Sequence, residues 1–300
     1  MAIIAAGPVA RIHDPGIRFF QQFFEELLRL GDVEGQNLTV DGYSGGGRPE
    51  GYADLAREVV SRNPDVIVAG TDAVARAVRA ATNTTPIVWI GGDPMQAGFA
   101  ASLARPEGNI TGVTVYAGYE ICGKRLQIRK EAVPAASKAA YLTTRVSQAA
   151  EGQQLREAGR RLQISVIELS LEESTPAAIQ RAFAEIAQQQ SDAIIVNSNG
   201  ILLPYRQLII EMVEKSRLPA MYPWRDYVEA GGLMAYEPDP GELGRRMADN
   251  VHQILNGAKP GDIPIYQPTK FEFVVNLKAA KELGLAIPRT LLARADEVIE

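Results

Sequence analysis

The sequence predicts an α/β protein made of two lobes, each built around a parallel sheet. Apolar, β-rich runs alternate with amphipathic helical stretches along the 300 residues, a pattern typical of βα units that form parallel sheets. The alternation starts again after Gly118, so the second half repeats the order of elements of the first. A chain of this length also suits two domains of about 150 residues better than one core.

The first half is expected to hold five strands and three main helices. Residues 65–69 (DVIVA) are a continuous apolar run, typical of a strand that is buried on both faces. Thr71 and Asp72 follow it as N-capping residues for a helix. The strands are expected at 2–6, 38–43, 65–69, 86–90 and 110–115, and the helices at 17–30, 51–62 and 72–82. A glycine-rich turn and a further short helix are expected between the last two strands.

The second half is expected to repeat this order and then to add a tail. A helix is expected from Gly118 to about Ala132. Strands are expected at 139–143, 165–169, 192–197, 220–222 and 233–236, and helices at 149–162, 176–188 and 203–216. The tail is expected to hold a long amphipathic helix at 238–255, a Gly/Pro loop at 256–264 and a strand at 271–275.

The domain boundaries follow if the long helix of the tail returns to the first lobe and the last strand returns to the second. The first lobe is then 1–115 with 237–262, and the second is 116–236 with 263–300. The chain would cross between the lobes three times, and three crossings act as a hinge that permits closure but little twisting.

Composition excludes several functional classes. The formal net charge is −5 and the pI is about 5.3, without a basic block, so nucleic acid is not an expected partner. The apolar runs are shorter than the ~20 residues that span a bilayer. One cysteine and two histidines, without CxxC, HExxH, P-loop or GxGxxG patterns, predict no disulfide, no metal and no cofactor.

The first ten residues lack the features of a signal peptide, so we expect either a cytoplasmic protein or an export signal replaced by the initiating methionine.

One string resembles an enzyme motif. Residues 42–46 (GYSGG) satisfy the G-x-S-x-G pattern of a nucleophile elbow, and His252 with Asp239 or Asp226 would complete a Ser…Asp…His order. The elbow requires a helix that begins at once after the serine. Here GGGRPEG follows Ser44 and delays the helix, so we interpret the string as a plain β-α turn and predict no catalytic residue.

Polar residues cluster where the predicted strands end. Each could simply cap a helix or close a turn, but convergence from two facing lobes predicts a ligand site in a cleft. Helix N-termini and hydroxyls bind a carboxylate well, Arg225 could pair with it, and Tyr116, Tyr222 or Trp224 could stack on an apolar body. The candidate ligand-binding residues are His13, Gly70, Thr71, Asp72, Gly92, Asp93, Tyr116, Thr143, Thr144, Asn197, Ser198, Asn199, Tyr222, Trp224 and Arg225.

Residues 91–113 and the end of the chain carry a resemblance to a known family. The matching positions are Asp93-Pro94, Gly98, Ser102-Leu103-Ala104-Arg105-Pro106, Gly108-Asn109, Thr111-Gly112-Val113, Gln267-Pro268-Thr269-Lys270-Phe271, Asn276-Leu277-Lys278-Ala279-Ala280, Leu283-Gly284-Leu285 and Ala295-Asp296-Glu297-Val298-Ile299-Glu300. Further matches lie within 123–134, 225–234 and 257–260. Together they resemble the ABC-transporter substrate-binding protein family that includes the tryptophan/aromatic amino-acid binder TrpX.

The resemblance implies a type I periplasmic-binding fold, with two Rossmann-like lobes joined by a three-segment hinge. It implies a monomer in the periplasm or cell envelope that is not an enzyme. The protein would bind a small organic ligand, such as an amino acid or another small, possibly aromatic, carboxylate, and deliver it to the transmembrane subunits of an ABC permease. The loops at 143–146 and 197–200 and the string at 43–46 depart from the family pattern, so the ligand stays open. An effector-binding sensor domain of the same fold is the alternative, followed by a Ser44-based hydrolase.

Overall fold

The protein consists of two compact units. The computed structural model describes residues 1–300 except 6–11, 15–16, 47–48, 107, 119, 146–147 and 199. Unit 1 comprises Met1–Ala117 and Pro238–Lys270, and unit 2 comprises Gly118–Glu237 and Phe271–Glu300. The chain therefore passes between the units three times. The hinge expected at these passages stays a prediction.

The described secondary structure alternates strands and helices along the whole chain. The first segment holds β1 (Ala2–Ala5), α1 (Arg18–Leu30), β2 (Asp41–Ser44), α2 (Tyr52–Ser61), β3 (Ile67–Ala69), α3 (Asp72–Ala81), β4 (Ile87–Gly91) and β5 (Ile110–Thr114). The second holds α4 (Glu120–Ala132), β6 (Lys138–Thr144), α5 (Gln148–Leu162), β7 (Ser165–Leu171), α6 (Pro176–Gln188), β8 (Ala193–Val196), α7 (Arg206–Ser216), β9 (Ala220–Tyr222), α8 (Arg225–Glu229) and β10 (Met234–Pro238). The tail holds α9 (Pro240–Leu255), β11 (Phe271–Asn276), α10 (Leu277–Glu282), α11 (Arg289–Leu292) and β12 (Glu297–Ile299).

Unit 1 is built on a five-stranded parallel sheet in the order β2-β1-β3-β4-β5. The helix pair α1 and α9 packs with its apolar sides on this sheet, through Phe23, Leu27, Leu243 and Met247. Gly244 allows the two helices to approach closely, because a Cβ atom there would lie 2.3 Å from the carbonyl oxygen of Phe19. The long helix of the tail therefore belongs to the first unit.

Unit 2 is built on a seven-stranded sheet in the order β12-β11-β10-β9-β8-β6-β7. Most neighbours are parallel, but β11 runs opposite to β10. The amide of Asp239 donates to the carbonyl of Lys270, and the amide of Asn276 donates to the carbonyl of Leu233. Residue numbers therefore rise along β10 while those of the paired residues fall along β11, as in an antiparallel pair. The predicted α/β class with two lobes on parallel sheets is confirmed, with this one antiparallel pair added.

The largest change to the expected domain boundaries concerns residues 263–270. Residues 263–270 were expected in the second lobe, but they lie in unit 1. The reason is pairing with β5: the Thr111 hydroxyl donates to the carbonyl of Ile263 at 2.8 Å, and the amide of Thr114 donates to the carbonyl of Tyr266 at 2.9 Å. Sequence periodicity does not show such an irregular extension of a sheet.

Two other expectations about the elements were wrong. The short helix expected between β4 and β5 is a series of turns in the described residues. Asp93 explains this, because its carboxylate accepts from the amides of Met95 and Gln96 and so stabilises a turn. The strand expected from residue 38 begins at Asp41, because Leu38 instead closes a small loop by bridging to Glu34. No helix in the described part of the chain has the length and apolar character that crossing a membrane requires.

Candidate functional site

The carboxyl edge of the unit 1 sheet is organised by Asp72, the first residue of α3. Its Oδ1 atom accepts from the indole Nε1 of Trp89 at 2.9 Å and from the amide of Gly92 at 3.1 Å. Thr71, immediately before it, caps α3 by accepting from the amide of Val74 at 3.3 Å. The predicted N-cap is confirmed, and Asp72 ties the start of α3 to the end of β4.

A second set of hydrogen bonds joins β4 to β5 at the same edge. The Thr114 hydroxyl donates to the carbonyl of Gly92 at 2.5 Å and accepts from the amide of Tyr116 at 2.8 Å. The amide of Gly70 donates to the carbonyl of Ile4, which places that glycine beside β1. The structure thus gathers six of the candidate residues at one edge: Gly70, Thr71, Asp72, Gly92, Asp93 and Tyr116.

His13 does not lie with this group. Its ring stacks on Phe24 of α1 with centroids 4.9 Å apart, and its Nδ1 atom lies 3.9 Å from Glu34. Glu34 belongs to the connection from α1 to β2, which enters the sheet at the amino end of β2. The prediction that His13 lines the ligand site is therefore not supported by its partners.

The carboxyl edge of the unit 2 sheet brings together the ends of β6 and β8. Thr143 and Thr144 are buried at the end of β6, and the amide of Asn197 donates to the carbonyl of Leu142 at 2.9 Å. Ser198 follows Asn197 and is half-buried. Asn199, also a candidate, lies outside the described residues. Four candidate residues thus meet at this edge.

A buried polar cluster lies behind Asn197. The Tyr141 hydroxyl donates to the Oε2 atom of Glu151 at 2.5 Å, and the Asn197 Nδ2 atom donates to the Tyr141 oxygen at 2.6 Å and also to Glu151. Burial raises the pKa of Glu151; the hydrogen bond from Tyr141, the positive charge of Arg125 and the hydrogen bonds from Ser198 and Asn197 partly offset this rise in pKa. Arg125 is itself fully buried and donates to the carbonyls of Tyr236 and Pro223.

The two candidate aromatic residues at the end of β9 and just after it differ in burial. Tyr222 is completely buried in the apolar core of unit 2, where its ring stacks on Tyr227 with centroids 4.9 Å apart. The prediction that Tyr222 stacks on a ligand was therefore wrong, because its ring packs inward. Trp224 is half-buried at the edge of the same core, so part of its ring surface is accessible.

Arg225 was predicted to pair with a ligand carboxylate, but its guanidinium already has carboxylate partners within unit 2. Its guanidinium donates to Glu229 and to Glu297, each at 2.8 Å, and lies 3.5 Å from Glu272. The side chain is only 18% exposed. Three carboxylates of its own unit neutralise it, so a ligand would have to displace an ion pair to reach the guanidinium.

The structure opposes a Ser44 hydrolase that uses Asp239 and His252. Asp239 caps the N-terminus of α9, whereas His252 lies in its last turn, so the two are about 20 Å apart along the helix. The Nδ1 atom of His252 lies 2.7 Å from Asp32 instead. The Ser44 hydroxyl accepts from the amide of Gly46 at 3.0 Å, as expected for a turn.

Arg145 is a charged residue at the unit 2 edge that sequence reasoning passed over. It directly follows Thr144, is 77% exposed on its side chain, and lies 3.2 Å from Glu172 at the end of β7. Its position two residues beyond the strand predicted at 139–143 was the signal available. Tyr141 and Glu151 gave no signal, because neither follows a strand. In the described part of the chain, no three His, Cys, Asp or Glu side chains group as a metal site would require.

Comparison with known proteins identifies the family. A model of the ABC transporter substrate binding protein family matches residues 9–299. The chain belongs to this family. A curated tyrosine-binding protein from Clostridioides difficile (strain R20291) is 24% identical over 266 residues, which are 88% of this chain and 75% of that protein.

Solved structures agree in fold over nearly the whole chain. A conserved domain protein from Vibrio cholerae O1 biovar El Tor is 26% identical with a TM-score of 0.84, covering 99% of this chain and 98% of that one. An ABC domain from Streptococcus pneumonia in complex with L-Trp is 21% identical with a TM-score of 0.85 and the same coverages. The fold is therefore the two-lobe periplasmic-binding fold, and the chain is the substrate-binding component of an ABC transporter, a class that binds small molecules and interacts with a permease.

Proposed function

We propose that the protein binds an amino acid, or another small carboxylate with an apolar or aromatic body, and delivers it to the transmembrane subunits of an ABC permease. The observation that carries this proposal is the polar carboxyl edge of each sheet, since open α/β sheets bind ligands there. Asp72 and Gly92 organise the edge of unit 1, and Thr143 and Asn197 that of unit 2. The curated tyrosine-binding relative and the neighbour that holds L-Trp support an aromatic ligand.

The same proposal covers location and chemistry. We propose that the protein acts in the periplasm or cell envelope, as a monomer, and without catalysis. The family supports delivery to a permease over a sensor that signals by itself. The positions of Asp239 and His252 at opposite ends of α9 oppose a Ser44 hydrolase that uses this pair.

Arg145 replaces Arg225 as the residue we propose for the ligand carboxylate. Among the described residues within three positions after the strands that end at these two carboxyl edges, Arg145 and Arg225 are the cations. Arg225 is neutralised by three carboxylates of its own unit, whereas Arg145 has one exposed partner, Glu172. An exposed pair of this kind contributes about 0–1 kcal/mol, so a ligand carboxylate can replace Glu172 at little cost.

The test is calorimetry with L-tryptophan and L-tryptophanamide, which lacks the carboxylate. Wild-type protein should bind L-tryptophan more tightly than the amide. Arg145→Ala should make the binding free energy of L-tryptophan less favourable by about 1.5–3 kcal/mol, the range for a hydrogen bond to a charged group. It should leave the binding free energy of L-tryptophanamide unchanged. Arg156→Ala is the matched control, since Arg156 also pairs with a carboxylate of unit 2, that of Glu168.

Two outcomes would count against the proposal in different ways. If wild-type protein binds neither L-tryptophan nor L-tyrosine, the aromatic amino acid is the wrong ligand. If wild-type protein binds L-tryptophan but Arg145→Ala binds it as tightly as the control Arg156→Ala does, the ligand carboxylate does not bind to Arg145.

A further inference from the structure

Unit 2 holds a polar cluster made of Tyr141 and Asn197, which are buried, and Glu151, which is partly buried. Tyr141 is only 1% exposed, and its hydroxyl links the other two side chains. Burying an ionisable carboxyl group is unfavourable even when it is hydrogen-bonded, and apolar side chains of similar volume are often more stabilising. A cluster of this kind at the base of a candidate ligand edge points to a role besides stability.

The cluster fixes the direction of the Asn197 amide. An amide nitrogen has two hydrogens to donate, and here Nδ2 donates to the Tyr141 oxygen and to Glu151. An ionised carboxylate only accepts, so a rotated amide would place its oxygen against the Glu151 oxygen and be repelled. A protonated Glu151 would donate and tolerate the rotated amide.

We propose that Glu151 is a positioning residue for the ligand, which holds Asn197 and the adjoining Ser198 in their binding geometry at the end of β8. This inference rests on the proposed function, because it assigns a role to Glu151 at the same edge. Glu151 acts through Asn197 and Ser198 and does not itself contact the ligand. Loss of its charge loosens the amide and weakens binding.

The other ionisable groups that interact with Glu151 are Tyr141, Arg125 and Cys122. Burial raises the pKa of Cys122 to about 12 and also raises the pKa of Tyr141, so both stay neutral. Burial lowers the pKa of Arg125, but the nearby negative groups favour its charge. Since the pKa of Glu151 is itself raised, its charge is lost as the pH falls towards that raised value.

The experiment compares wild type with Glu151→Gln, which keeps the shape and removes the charge. In ligand-free protein, nuclear magnetic resonance should show the side-chain amide signal of Asn197 shifting as the pH is lowered and Glu151 takes up its proton, and the variant should lose this shift. With L-tryptophan as probe, the variant should bind about five- to tenfold more weakly than wild type at the high-pH end of the same titration. Its affinity should also lose the pH dependence of wild type.

Glu168→Gln is the matched control, because Glu168 also faces α5 but pairs with Arg156. It should leave both the Asn197 signal and the affinity unchanged. A purely structural role for Glu151 predicts a change in melting temperature without a change in affinity. The proposal is overturned if the Asn197 amide ignores pH, or if Glu151→Gln binds L-tryptophan as wild type does. If wild type does not bind L-tryptophan, the proposed function fails, and the amide titration still decides this inference.

Discussion

Replacing Gly112 by alanine is expected to destabilise unit 1 by about 3 kcal/mol or more. Gly112 lies opposite Trp89 in the pairing of β4 with β5, and its φ is +152°. A Cβ atom there would lie 1.9 Å from the carbonyl oxygen of Trp89 and 2.6 Å from its nitrogen. Both contacts are with backbone, so a side-chain movement cannot relieve them, and the strands themselves must separate.

Trp89 can report on this change directly. The chain has two tryptophans, Trp89 in unit 1 and Trp224 in unit 2. In a Trp224→Phe background, tryptophan fluorescence during urea unfolding follows unit 1 alone. Gly51→Ala is the matched control: its added Cβ meets nothing within 4 Å, and its φ is −86°. It should change stability by less than about 1 kcal/mol. Equal stability of the two alanine variants would contradict the account.

Unit 2 is expected to lose stability as the pH rises from about 6 to about 9, because of Glu237. Burial raises the pKa of this carboxyl group from 4.5 to about 8; Asp226 and Glu272 raise it further, and the Arg225 amide and charge oppose the rise. Arg125 is a more distant positive neighbour. The folded state holds the proton longer than the unfolded chain, so the stabilisation is complete below pH 4.5 and is lost as the pH approaches 8.

The expected loss is about 2–3 kcal/mol, because each pH unit between the two pKa values contributes about 1.4 kcal/mol. Glu237→Gln should remove the part of the slope that Glu237 contributes, and urea unfolding at a series of pH values measures it. Glu173→Gln, on an exposed loop, removes the same charge and should keep the wild-type slope. A Glu237→Gln protein with an unchanged slope would show that Glu237 is ionised throughout this range.

The order of elements could be predicted because it depends on local patterns. The helix at 176–188 was predicted with its observed bounds, and the strand at 65–69 was found from its apolar run, although it begins at Ile67. The elements that were missed, α8, α10, α11 and β12, are six residues or fewer. A segment that short shows hardly one period of an apolar pattern, so periodicity cannot detect it.

The candidate site was harder to predict, because position at a strand end does not fix where a side chain points. Thr71 and Asp72 behave as local rules suggest, since their partners lie within one helix turn or in a neighbouring strand. Arg225 does not, because Glu297, one of its partners, lies 72 positions away in the chain. Tyr222 lies on the face of β9 that packs into the core of unit 2. Glu151 lies on helix α5, which brings its carboxylate to the side chain of Asn197. These contacts depend on tertiary packing, which the sequence alone does not show.

Amide hydrogen exchange with and without saturating L-tryptophan tests the central claim most directly. The account predicts slower exchange in the segments at the carboxyl edges of both sheets, 70–72 and 91–93 in unit 1 and 143–145 and 197–198 in unit 2. The helices α6 and α7, which pack on the core of unit 2, should exchange as before. Saturation with L-tryptophan that leaves both edges unprotected, or protects only segments elsewhere, would contradict the proposed site.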